Sequence, residues 1–133
     1  MRGAAAVLLA ALAVAVAGCG GDSGDLMSIE ISGGPAGTVA HTIVVTGDGR
    51  GSCDKGAEKL LPSARVIDAR VIEKDLGDLV RKAADYPARP GTRRYTVRTG
   101  DGDVTWSEGT PALPSVLPRA QLLALQLERL LCR

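Results

Sequence analysis

From residue 27 onward, apolar side chains recur with two different periods, and the switches between them mark the elements. Met27, Ile29 and Ile31 alternate with Ser28, Glu30 and Ser32, the period of a half-buried strand. The SGGPAG run at residues 32–37 is built from residues suited to a turn. A second strand is expected over residues 38–46, with Val39, His41, Ile43 and Val45 on one face, and GDGRG at residues 47–51 ends it. The period then becomes helical. Pro62-Ser63 reads as a helix start with Ser63 as N-cap, and Ile67, Val71, Ile72, Leu76, Leu79, Val80 and Ala83 follow at helical spacing before Tyr86-Pro87. Gly77 falls inside that helix at a cost of about 1 kcal/mol. Tyr95, Val97, Val104 and Trp106 alternate through a second hairpin that turns at Gly100-Asp101-Gly102. After the Pro-punctuated loop GTPALP, Val116, Ala120, Leu123, Leu127 and Leu130 mark a C-terminal helix, and Leu117, Ala124 and Leu131 widen its stripe. The order ββαββα predicts an α+β domain: an antiparallel four-stranded sheet with two helices packed on one face.

The N-terminus follows a different pattern. Arg2 is followed by unbroken apolar sequence from Ala4 to Ala17 and then Gly18-Cys19. As a helix this run would span about 21 Å, short of the roughly 30 Å hydrocarbon core of a bilayer. A charged start, a short apolar stretch and small residues before a cut site make a secretory signal. Val16-Ala17-Gly18-Cys19 resembles the lipobox of bacterial lipoproteins. That resemblance implies a signal peptide at residues 1–18, cleavage before Cys19 and a diacylglyceryl group on its sulfur. The Gly- and Asp-rich residues 19–26 are then a flexible lipid-anchored tether, and residues 27–133 the folded domain. Two acyl chains, palmitate among them, would hold the chain at the extracytoplasmic face of the cell membrane. The GDSG at residues 21–24 echoes a serine-protease loop, but it lies in this tether, and the chain has a single histidine in an unrelated context.

Composition removes further classes. Twelve Arg against four Lys, with no Phe or Asn, reads as GC-rich coding rather than chemistry. Residues 19–133 balance 15 basic against 15 acidic side chains, which argues against a general nucleic-acid or membrane-surface binder, since both need a basic excess. With Cys19 modified, Cys53 and Cys132 remain, an even pair in an oxidising compartment, and a disulfide is expected. Used instead as metal ligands, these two would lack the second histidine of a convincing set, so no metal or other cofactor is expected.

Candidate catalytic chemistry is sparse. Residues 33–37 are glycine-rich but lack a GK[ST] ending and join two strands, so they form a hairpin turn rather than a phosphate loop. Asp48, Asp101 and Asp103 lie in turns without calcium-loop spacing. His41 is read as a hydrogen-bonded core or edge histidine. Arg89, Arg93, Arg94 and Arg98 form the one local basic cluster. Arg94 and Arg98 share an outer strand face, where they would meet either acidic neighbours or an acidic partner. No catalytic constellation emerges, and the expectation is a protein that is not an enzyme.

The strand–SGGPAG–strand opening, the helix containing ARVIEKDLGDLV, the hairpin RRYTVRTGDGDVTW and the closing ALPSVLPRAQLLALQLERLL resemble the emfourin-like domains. These carry an SGG-x-AG turn near their start, and the similarity covers most of residues 27–132. Pro35 stands where that family usually has a bulky apolar residue. Emfourin inhibits thermolysin-like metalloproteases. The resemblance therefore implies a cell-surface interaction domain with a metalloprotease as partner, contacted through Gly33, Gly34, Pro35 and Ala36, with Arg94 and Arg98 as further candidates. One alternative is an envelope structural or small-solute-binding lipoprotein, for which a pocket lined by Trp106, Tyr95 or His41 is the expected mark; another is an enzyme, which would require His41 to meet a carboxylate in a cleft.

Overall fold

The computed structural model describes residues 24–133. The expected signal peptide (residues 1–18), Cys19 and the tether up to residue 23 lie outside the described residues. Strand β1 (Asp25–Gly33) is followed by β2 (His41–Thr46), β3 (Arg50–Cys53), β4 (Lys59–Leu60), helices α1 (Ser63–Asp75) and α2 (Gly77–Arg81), β5 (Arg93–Thr99), β6 (Gly102–Ser107) and α3 (Val116–Leu131). The strands form one antiparallel sheet in the order β4-β3-β2-β1-β5-β6.

The α+β class and the antiparallel sheet are as expected, but the described residues form six strands rather than four and three helices rather than two. β3 and β4 escape the period analysis because neither alternates. RGSC becomes a strand through its pairing with β2, and Lys59-Leu60 through pairing with β3. Gly51 has a packing role there: a Cβ on it would lie 2.8 Å from Leu131 Cδ1 and 3.1 Å from Leu61 Cδ2. The expected single helix is interrupted at Leu76, immediately before Gly77, whose helix propensity is low. Leu76 still accepts the Val80 N–H at 3.0 Å. Ala83 adopts φ 49°, and the Ala84 N–H returns to the Leu79 carbonyl at 3.0 Å, so the helical run closes earlier than its apolar spacing suggests.

The sheet buries one face. Met27, Ile29 and Ile31 of β1, Ile43 and Val45 of β2, Tyr95 and Val97 of β5, and Val104 and Trp106 of β6 all point into the core. Tyr95 and Trp106 are cross-strand neighbours, stacked with ring centroids 5.6 Å apart, and Trp106 Nε1 donates to Gln121 Oε1 of α3 at 3.2 Å. From α3, Leu117, Ala120, Leu123, Ala124 and Leu127 close the core, whereas Leu130 is exposed. From α1, Ala69 and Ile72 are buried, whereas Ile67 and Val71 face outward. Both stripes of α1 have helical spacing, so periodicity alone does not say which one is inside. Pro62 occupies the N-cap of α1 and Ser63 is its first helical residue, with no side-chain cap.

Candidate functional site at the hairpin end of the sheet

The β1–β2 connection lies at the end of the sheet opposite Asp25. β1 is nine residues long, which separates the two ends by about 27 Å. Residues 35–40 are all exposed, and Val39, expected on a strand face, is 65% exposed in the turn because β2 begins only at His41. Glycine is required here: Gly33, Gly34 and Gly37 have φ of 69°, 100° and 87°, left-handed values that an L side chain adopts at a cost. The turn is braced internally and from the side. Thr38 donates to the Pro35 carbonyl from both its N–H (3.1 Å) and its hydroxyl (2.7 Å). The Gly34 N–H donates to the Thr92 carbonyl at 3.0 Å, and Thr92 is held by its own bonds to the Arg89 carbonyl.

A second cluster flanks this turn. His41 Nδ1 lies 2.7 Å from Asp54 Oδ2, with the ring N–H donating, and the other carboxylate oxygen accepts the Thr42 N–H at 2.8 Å. The Asp54 N–H returns to the Thr42 carbonyl at 2.8 Å, one backbone bond beyond the end of the β2–β3 ladder, with the carboxylate taking the Thr42 N–H in place of a backbone carbonyl. The Thr42 N–H first, and then the His41 ring, hold the Asp54 carboxyl below the usual carboxylate range. Asp54 and Lys55 adopt φ of 51° and 61°, which bends the chain back so that the carboxylate faces His41. No local signal in the sequence links these two residues across thirteen positions; the hairpin register alone brings them together.

The expected disulfide is present: Cys53 is bonded to Cys132, joining β3 to the residue after α3. Cys53 Sγ is 3.6 Å from His41 Nδ1, so His41, Cys53 and Cys132 bring a nitrogen and two sulfurs within 4.8 Å of one another. The S–S bond leaves neither sulfur as a thiolate, and thiolate is what a metal ligand or a nucleophile requires. Nearby, Arg93, cross-strand from Gly33, makes two bonds to the Glu128 carboxylate at 2.9 and 3.0 Å. Glu128 raises the Arg93 pKa further, chiefly through these bonds. The pair ties the C-terminal half of α3 to the hairpin end.

The remaining expected contacts lie elsewhere. Arg94 pairs with Asp85 at 2.8 Å and reaches the Tyr86 carbonyl and Ser107 hydroxyl. Arg98 pairs with Asp103 at 3.2 Å and Glu30 at 3.4 Å. Both arginines therefore meet acidic neighbours within the sheet's outer face and do not join the turn. Tyr95 and Trp106 are fully buried, so neither lines an accessible pocket. No helix among the described residues is long and apolar enough to cross a membrane. Compared with protein-family models, curated proteins and solved structures, the chain has no significant match.

Proposed function

We propose that this protein is a lipid-anchored binding domain of the cell surface, tied to the membrane through Cys19, whose exposed 33–40 turn engages a protein partner. The observation that carries this reading is the turn itself. Six consecutive exposed residues, 35–40, are held by two hydrogen bonds from Thr38 to Pro35 and by a third from the adjoining Gly34 to Thr92, at the end of the sheet far from the point where the chain leads back toward Cys19. A turn ordered before binding loses little conformational freedom on association. Pro35, Ala36 and Val39 offer a small apolar contact surface, and Gly33 and Gly34 let a partner approach the backbone closely. By its resemblance to the emfourin-like domains, the partner is a thermolysin-like metalloprotease, and binding blocks the enzyme without chemistry by this chain.

The test is a titration of the oxidised chain from residue 20 onward against thermolysin-type proteases, alongside Ala36→Arg and Val39→Asp, both at exposed positions. Stoichiometric inhibition that either variant abolishes at unchanged melting temperature is expected. Protease activity that is unaffected by the wild-type domain would remove the inhibitor reading. A surface partner captured equally by wild type and both variants would remove the turn as the contact.

A further inference from the structure

The outward stripe of α1 has no partner within the fold. Ile67 is 60% exposed and Val71 45%, and Leu60, just before the helix, is 75% exposed. Single exposed apolar side chains are ordinary, but these are not scattered. Ser63, Ile67, Arg70, Val71 and Lys74 fall within one arc of the helix at i, i+4, i+7, i+8 and i+11. The buried Ala69, Ile72 and Leu76 occupy the opposite arc. The basic members, Arg70 and Lys74, together with Lys59 beside Leu60, make no ion pair among the described residues. Of the acids nearby, Asp68 pairs with Arg65 at 3.2 Å and Asp75 with Arg119 at 3.0 Å, while Glu58 and Glu73 make no ion pair among the described residues. An aliphatic stripe edged by cations that make no ion pair is the chemistry of a helix lying at an anionic lipid surface.

The position of the stripe says what covers it. The Gly24 carbonyl, at the first described residue, accepts the Gly47 N–H at 3.2 Å, and Arg70 donates to the Gly47 carbonyl at 2.9 Å. The Leu61 N–H bonds the Gly49 carbonyl at 3.0 Å. The turn at residues 47–49 thus joins three things: the start of the described chain, the Leu60 segment and α1. Five peptide steps separate Cys19 from Gly24, a reach of at most about 18 Å. If Cys19 carries lipid, this corner of the domain is held within that distance of the bilayer surface.

We infer that Leu60, Ile67 and Val71, with Lys59, Arg70 and Lys74, form a docking face for an anionic phospholipid bilayer. This rests on the anchor reading above. Docking there fixes the orientation of the domain and leaves the 33–40 turn, a strand's length away, directed from the membrane.

The chain's four lysines, Lys55, Lys59, Lys74 and Lys82, provide the test. The full mature chain, purified from membranes, is reconstituted in vesicles of phosphatidylglycerol and phosphatidylcholine. It is then acylated with a water-soluble amine reagent, and the reaction at each lysine is followed by mass spectrometry. Lys59 and Lys74 should react several-fold more slowly on vesicles than in neutral detergent. Lys55, at the hairpin end, should be unchanged. Leu60→Glu/Ile67→Glu, at exposed positions, should restore the detergent rates while the protein still floats with the vesicles; a melting curve verifies its fold. Flotation with equal lysine rates would overturn the docking face and leave the anchor standing. A mature chain without acyl mass on Cys19 would overturn both. Shielding in cell membranes but not on pure lipid would place a protein on the stripe and overturn the lipid occupant.

Discussion

Removing the Cys53–Cys132 bond should destabilise the domain more than almost any other paired substitution. The bond closes a separation of 79 residues, and in the chain-entropy model a loop of that length is worth about 4.5 kcal/mol. Both cysteines are partly buried against the core, so truncation to Ala adds a smaller packing loss of about 1 kcal/mol. Domains of this size have roughly 5–15 kcal/mol in total, so Cys53→Ala/Cys132→Ala should fold marginally or, at the low end, fail to fold. Urea unfolding of the oxidised wild type, the reduced wild type and the double variant measures the effect. The mechanism makes a second, sharper demand. If the bond acts by restricting the unfolded chain, the variant exposes more surface on unfolding and its m-value should rise. A loss below about 1.5 kcal/mol would refute the loop-closure argument. A full loss at unchanged m would refute its entropic form and place the effect in native packing around His41 and Leu131.

Two other predictions follow from local geometry. The Asp54 carboxyl is held below its ordinary pKa by Thr42 and His41, so its contribution is present above the unfolded carboxylate value, near 4, and is lost as pH falls through the lower folded value. Denaturant midpoints of wild type and Asp54→Asn should therefore differ at pH 6 and converge toward pH 2; a gap that persists at pH 2 would contradict the assignment. Gly102 has φ 141°, and a Cβ on it would lie 2.3 Å from the Val80 carbonyl oxygen. Gly102→Ala should thus cost more than about 3 kcal/mol in thermal unfolding, whereas Gly37→Ala, where only the dihedral objects, should cost about 1–2 kcal/mol; equal costs would contradict the steric account.

Much of the fold was legible in the linear pattern because strands and helices that bury one face must repeat at the period of their geometry. Strict alternation located β1, β5 and β6, and the broad apolar stripe located α3. With Cys19 set aside as the expected lipid site, one connectivity was left, and it is the bond found between β3 and the end of α3. The glycines of SGGPAG announced a turn, since little else tolerates three left-handed backbones in five residues.

What only the tertiary structure decided shares a single cause: the deciding partner is distant in sequence. RGSC is a strand because β2 has an open edge, and Lys59-Leu60 because β3 then offers one, not because of their own residues. Val39 falls outside β2 because the ladder with β1 stops at His41. α1 carries two apolar stripes, and the sheet and α3 select Ala69 and Ile72 for burial, leaving Ile67 and Val71 outside. Asp54 carries no signal in the sequence, and only the hairpin register sets its carboxylate against His41. Arg94 and Arg98 are expected to meet either acidic neighbours or an acidic partner, and folding decides it by setting Asp85, Asp103 and Glu30 against them. Periodicity is a local property that a sequence carries by itself; which face turns inward, and which charge meets which, depends on elements that only folding brings together.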